Sequence, residues 1–181
     1  MTLFGHQFDN TITIDALEIL ECQHREIDKL FETLQQTDTG RGAIFAELAN
    51  KLAAHATIEE KLFYPAVVSK LTLDLLHESV EEHLSIKRVL ADMIMMRLDD
   101  ATFRAKLVVL QAQVSHHARD EEEAKLFPCV RASLGANERA ALGLDLLVMF
   151  EDLIAVPAYM NVPNETKFSA ALPPSSTLVS R

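Results

Sequence analysis

The spacing of apolar residues divides the chain into long helical segments. In the first, Leu17, Leu20, Ile27, Leu30 and Leu34 recur in phase, and His24 occupies the same stripe between Leu20 and Ile27. The second carries Ile44, Leu48, Leu52, His55, Glu59 and Leu62, and the third His77, Val80, His83, Ile86, Leu90 and Met93. The fourth carries Leu107, Leu110, Val114, His117 and Glu121. Steps of three and four keep side chains on one face of a helix, and that face is the one a bundle buries. Turn and cap signals at Thr37–Gly42, Pro65, Asp99-Asp100, Pro128, Gly135 and Asn137 bound these segments. They predict helices over about 14–36, 42–64, 70–98, 101–127 and 138–154.

Four long helices with short connections predict an all-α fold, an up-down-up-down four-helix bundle, with an additional short C-terminal helix. Periodicity then stops. The segment from Ala155 to Arg181 holds four of the six prolines with several Ser and Thr, and reads as a proline-rich tail. The expected organisation is a bundle over 1–154 and a tail over 155–181.

Composition agrees with helices. The chain has 181 residues, five Gly and no Trp, and its size suits one domain with a real core. The formal net charge of −10 repels phosphate backbones and anionic membrane surfaces, so neither nucleic acid nor membrane is an expected partner. Cys22 and Cys129 form no close pair, no apolar run is long enough to span a bilayer, and the N-terminal stretch lacks a secretory pattern. A cytoplasmic location is expected.

The chemistry lies in the polar members of the buried stripes. Each long helix aims one histidine inward, and the second and fourth add a glutamate one turn later. An ionised carboxylate in an apolar core is costly unless it is paired or bound to a cation. HATIEEKLFYP at 55–65 and HARDEEEAKLFP at 117–128 repeat this arrangement. Mixed imidazole and carboxylate ligands suit iron, manganese or zinc rather than calcium or magnesium, and their number suits two ions. A ferritin-like site would want Glu-x-x-His on two helices, a spacing met only by Glu21 and His24.

An early histidine, HATIEEKLFYP, then EEH at 81–83, then HARDEEEAKLFP, over roughly residues 15–130, resembles the hemerythrin-like family with its HHE cation-binding domain. The resemblance implies a bundle around a non-haem centre of two Fe ions, oxo- or hydroxo-bridged, with Mn or Zn as substitutes. It implies His24, His55, Glu59, His83, His117 and Glu121 as metal ligands, with the glutamates bridging. Oxygen-carrying hemerythrins are similar but place two histidines four apart on the third helix and end with His-x4-Asp. This chain has no such histidine pair.

Glu122 stands at the five-residue offset from His117 and competes with Glu121. The stripe and the His55–Glu59 spacing favour Glu121. The resemblance implies a protein that binds or senses O2, NO, peroxide or iron rather than a dedicated enzyme. A di-iron oxidase or peroxidase and a metal-dependent regulatory module are the alternatives, and a homodimer contact is compatible with Met93–Met96. His77 is expected in the core, bonded to Glu81, and Phe63 and Tyr64 are expected to close the end of the core, where a phenol near the metals could tune or donate to a bound ligand. The second motif holds one extra residue between its glutamates and its Leu-Phe, which predicts a bulge or loosening after Glu121.

Overall fold

The computed structural model of the chain describes residues 15–175. The predicted helix start at residue 14 lies outside them. Among the described residues the regular secondary structure is entirely helical. No described helix is long and apolar enough to cross a membrane.

Helix α1 spans Ala16–Gln36 and begins where the Asp15 carboxylate accepts from the Leu17 N–H at 2.9 Å. Helix α2, Arg41–Ile58, follows Gly40, whose φ of 67° is a left-handed conformation that glycine adopts without a Cβ clash. It passes through a π-helical turn, Glu59–Phe63, into α3, Tyr64–Val67. Helix α4 spans Leu73–Ile94. Helix α5, Phe103–Ser115, runs into a longer π-helical segment, His116–Leu126, and then into α6, Phe127–Ser133. Helix α7 spans Ala136–Ile154, and a 3-10 turn, Ala158–Asn161, leads to the single turn α8, Val162–Glu165.

Pro65 and Pro128 do not end their helices as the sequence suggested. A proline in a regular helix loses one hydrogen bond and its ring meets the carbonyl four residues back. Here each proline follows a π-helical stretch. The N–H of Tyr64 bonds to Glu59 O and that of Phe127 to Glu122 O, five residues back. The shifted carbonyls leave room for the rings, and each proline sits in the first turn of the next α segment, where its missing N–H costs little.

The core divides into two apolar clusters. One gathers Leu17, Leu20, Phe63, Leu76, Phe127 and Phe150, and the other Ile27, Phe31, Leu48, Leu90, Phe103 and Leu110. Phe31, missing from the predicted stripe, is fully buried and by itself stabilises the fold by roughly 2 kcal/mol. His24, His55, His83 and His117 lie in sequence where their helices pass from one cluster to the other. A polar layer therefore interrupts the core at one level.

Two expectations change here. His77 is exposed, not in the core; Leu76, Ser79 and Val80 take the buried positions of that turn. The segment expected as a tail is, as far as residue 175, partly helical and packed. Val162 is 1% exposed and sits among the second cluster, while Ala170 and Leu172 pack against the first.

Candidate metal centre

The polar layer contains His24 from α1, His55 from α2, Glu59 from the first π turn, His83 from α4, and His117 and Glu122 from the second π segment. All six are buried. The imidazoles form two pairs. His24 Nε2 lies 3.1 Å from His55 Nε2, and His83 Nε2 lies 2.9 Å from His117 Nε2.

The opposite ring nitrogens fix the tautomers. His24 Nδ1 is 2.8 Å from Glu123 Oε1, His83 Nδ1 3.0 Å from Glu60 Oε1, and His117 Nδ1 2.8 Å from Glu82 Oε2. A carboxylate only accepts, so these three Nδ1 atoms carry hydrogen. His55 Nδ1 donates to Gln23 Oε1 at 2.7 Å, a neutral partner in place of a carboxylate. With the hydrogen on Nδ1, a neutral ring presents a lone pair at Nε2, and in each pair two lone pairs face each other.

Burial opposes a charge on His24, but the carboxylates of Glu122 and Glu123 beside it prevail and raise its pKa. At His83 burial and the neighbouring His117 outweigh the hydrogen bond to Glu60 and push its pKa down. His55 is pushed well down by burial and by His24.

The carboxylates join the two pairs. Glu59 Oε1 lies 3.3 Å from His55 Nε2, and its Oε2 3.3 Å from His83 Nε2. Glu122 Oε2 lies 3.2 Å from His24 Nε2 and 3.7 Å from His117 Nε2. Each glutamate thus reaches one ring of each pair. Glu59 is 0% exposed and neither of its oxygens accepts a hydrogen bond; Glu122 Oε2 is likewise without one. Burial and the Glu122 charge raise the Glu59 pKa well above the usual range. Burial would also raise Glu122, but the rings of His117 and His24 hold it well below that range. Tyr64 sits against this layer, its hydroxyl 3.1 Å from both His83 Nε2 and Glu122 Oε1, so one phenolic proton serves two acceptors.

These residues fit a bound cation. Buried carboxylate oxygens without donors and facing imidazole lone pairs are what a cation resolves. Two nitrogens each about 2.1 Å from one ion and at right angles to it lie about 3.0 Å apart, the separation seen in both pairs. The donor sets His24, His55, Glu59, Glu122 and Glu59, His83, His117 each converge within 4.8 Å.

Five of the six residues expected from the sequence meet here. Glu121 does not, and this corrects the preference for it over Glu122. Glu121 is buried to one side, where Lys125 Nζ donates to its two oxygens at 2.6 and 2.7 Å, and it lies 3.5 Å from His116. The reason is the π-helical segment, whose i→i+5 bonds bring residues five apart onto one face. His117 and Glu122 point inward together, and His116 and Glu121 fall together on the neighbouring face. The bulge predicted after Glu121 is this π segment, beginning earlier, at His116. It absorbs the extra residue of the second motif, so Phe63 and Phe127 still meet edge to face with ring centroids 5.8 Å apart.

Gln23, Glu60, Glu82 and Glu123, which orient the rings, were not anticipated. The signal available was adjacency, since each stands one residue from a histidine or glutamate of the centre.

A helical bundle with a buried layer of four histidines and two glutamates belongs to a class of cation-binding proteins. The sequence profile of the hemerythrin HHE cation binding domain matches residues 15–130, and the chain belongs to that family. A relative from Nostoc sp., named DNA nickase, is 27% identical over 123 residues, covering 67% of this chain and 35% of its own length. The chain therefore spans only about a third of that relative. A crystal structure of a hemerythrin HHE cation binding domain-containing protein from Mycobacterium kansasii superposes with a TM-score of 0.71. It covers 84% of this chain and 94% of that one at 22% identity, a likeness of fold.

Proposed function

We propose that the chain is a di-iron protein that binds a small ligand of the O2, NO or peroxide kind. His24 and His55 would hold one ion, His83 and His117 the other, and Glu59 and Glu122 would bridge them. The single observation that carries this reading is the pairing of Nε2 lone pairs joined by two unsatisfied carboxylates. Mn or Zn could occupy the same donors. An up-down-up-down course of the four long segments, connected by short turns, is part of the reading.

The space beside the rings supports this ligand class. A cavity of ≈ 20 Å³ is lined by the four histidines with Ile27, Leu52, Ile86 and Val114. That is about the room one or two water-sized molecules take. It suits a diatomic molecule or peroxide and is walled by apolar side chains. Bound ferrous ions would supply electrons and an open position for such a ligand. The chain's own residues orient the rings, keep bulk water out, and offer the Tyr64 hydroxyl as a proton donor at the edge of the site. Nothing in this geometry favours the nicking activity named for the longer relative, and a net charge of −10 disfavours contact with DNA.

The test is anaerobic loading with ferrous iron followed by air or NO. The expected result is two irons per chain and a new near-ultraviolet ferric or visible nitrosyl absorption. Uptake of one iron or fewer, with no spectral response, would overturn the proposal.

A further inference from the structure

One contact reaches the centre from outside the residues that the family profile matches. The His83 Nδ1–H donates to Glu60 Oε1 at 3.0 Å. Both oxygens of Glu60 accept from Lys87 Nζ at 2.8 Å, and Lys87 Nζ also pairs with Glu165 Oε2 at 3.0 Å. Lys87 belongs to α4 and is 7% exposed. Burial opposes its charge, yet Glu60 and Glu165 together raise its pKa and keep it an ammonium.

His24 has a matching relay, from Glu123 to Arg119 to Asp28. That relay ends on α1, within the matched region. The relay from His83 ends on α8, in the C-terminal segment. Ala158 and Tyr159 at its start pack against the second cluster. Val162 anchors it on one side, and Ala170 and Leu172 rest on the bundle further along. Between them lies a cavity of ≈ 380 Å³, bordered by Thr57, Lys61, Leu84 and Phe168. The Glu165–Lys87 pair bridges this gap.

We propose that Glu165 is a positioning residue of the metal centre. Through Lys87 and Glu60 it holds the His83 ring, so docking of residues 158–170 and metal binding at the His83/His117 pair are coupled. The coupling is reciprocal, because each event favours the arrangement the other needs. The metal half of the statement rests on the ligand reading above; the ring-holding half does not.

The test uses the full chain with Glu165→Gln, titrated with Co²⁺ as the probe, and follows the ring N–H resonances of His83 and His24. Loss of a partner that directly orients a metal-ligating histidine weakens binding about 10–100-fold, and one contact further out about 3–10-fold is expected. That loss should fall on the His83/His117 position alone. The His83 Nδ1–H should exchange faster in the metal-free variant while that of His24 is unchanged. Glu165→Asp should recover part of the loss. Val162→Ala, which loosens the segment without touching the ion pair, should act in the same direction. In the wild type, metal should slow amide exchange over 158–170. Equal weakening of both positions, or an unchanged His83 Nδ1–H exchange in Glu165→Gln, would overturn the coupling. A chain that takes up no Co²⁺ would overturn the ligand reading, and the ring exchange would still decide the role of Glu165.

Discussion

The Nε2 atoms of His83 and His117 lie 2.9 Å apart while Glu60 and Glu82 hold the hydrogens on the far side of each ring. Two neutral rings in this arrangement repel. The same pair becomes favourable when one cation accepts both lone pairs. The fold therefore carries stored repulsion that binding removes, and metal should stabilise the native state strongly. At a free metal concentration of 100 times Kd the gain is about 2.7 kcal/mol, or ~5–10 °C in Tm for a chain of this size. Thermal unfolding before and after chelator treatment measures it.

Glu121 and Glu122 make a sharp pair of substitutions. Glu122→Gln removes an oxygen charge that reaches both histidine pairs, so metal affinity should fall by more than about 100-fold, beyond the cost of losing an orienting partner. Glu121→Gln disturbs contacts with the half-exposed Lys125 and with His116, both outside the centre, and should change metal affinity less than about twofold. Equilibrium titration of the two variants side by side shows which glutamate serves.

Tyr64→Phe keeps the buried ring and deletes the hydroxyl between His83 and Glu122. Leaving an ionised buried acceptor with one donor fewer should cost the metal-free protein about 1–3 kcal/mol. The fold should survive, because the phenyl ring still packs beside Phe63 at 5.9 Å between centroids. Urea unfolding of the chelated protein gives the difference.

Val114→Phe fills the small cavity without altering any donor atom. Two irons per chain should still bind, while the rate of reaction with NO or air should fall at least about tenfold because the ligand space is occupied. Stopped-flow absorption on the loaded variant separates access from metal binding.

Much of this was legible in the chain. Regular α-helical phase placed His24, His55, Glu59, His83 and His117 on buried faces, and all five meet in one layer. The same periodicity failed at Glu121, because it assumes 3.6 residues per turn and the segment from His116 to Leu126 is wound more widely. The spacing His117–Glu122 was visible, and a five-residue offset on an inward helix is itself the mark of a π segment. His77 misled for a different reason. It sits in the second turn of α4, where Leu76, Ser79 and Val80 take the buried face and the ring is left exposed. The orienting residues Glu60, Glu82 and Glu123 act across helices, and adjacency to a residue of the centre is the one local signal that sets them apart from a solvated acidic face.

The central claim is that two metal ions lie between the paired histidines. Anomalous X-ray diffraction from crystals of the iron-loaded chain, collected at the iron edge, tests it most directly. The account predicts two peaks per chain, one within coordination distance of His24 and His55 and one of His83 and His117, with Glu59 and Glu122 touching both. A single peak, or a peak held by His116 and Glu121 instead, would contradict it.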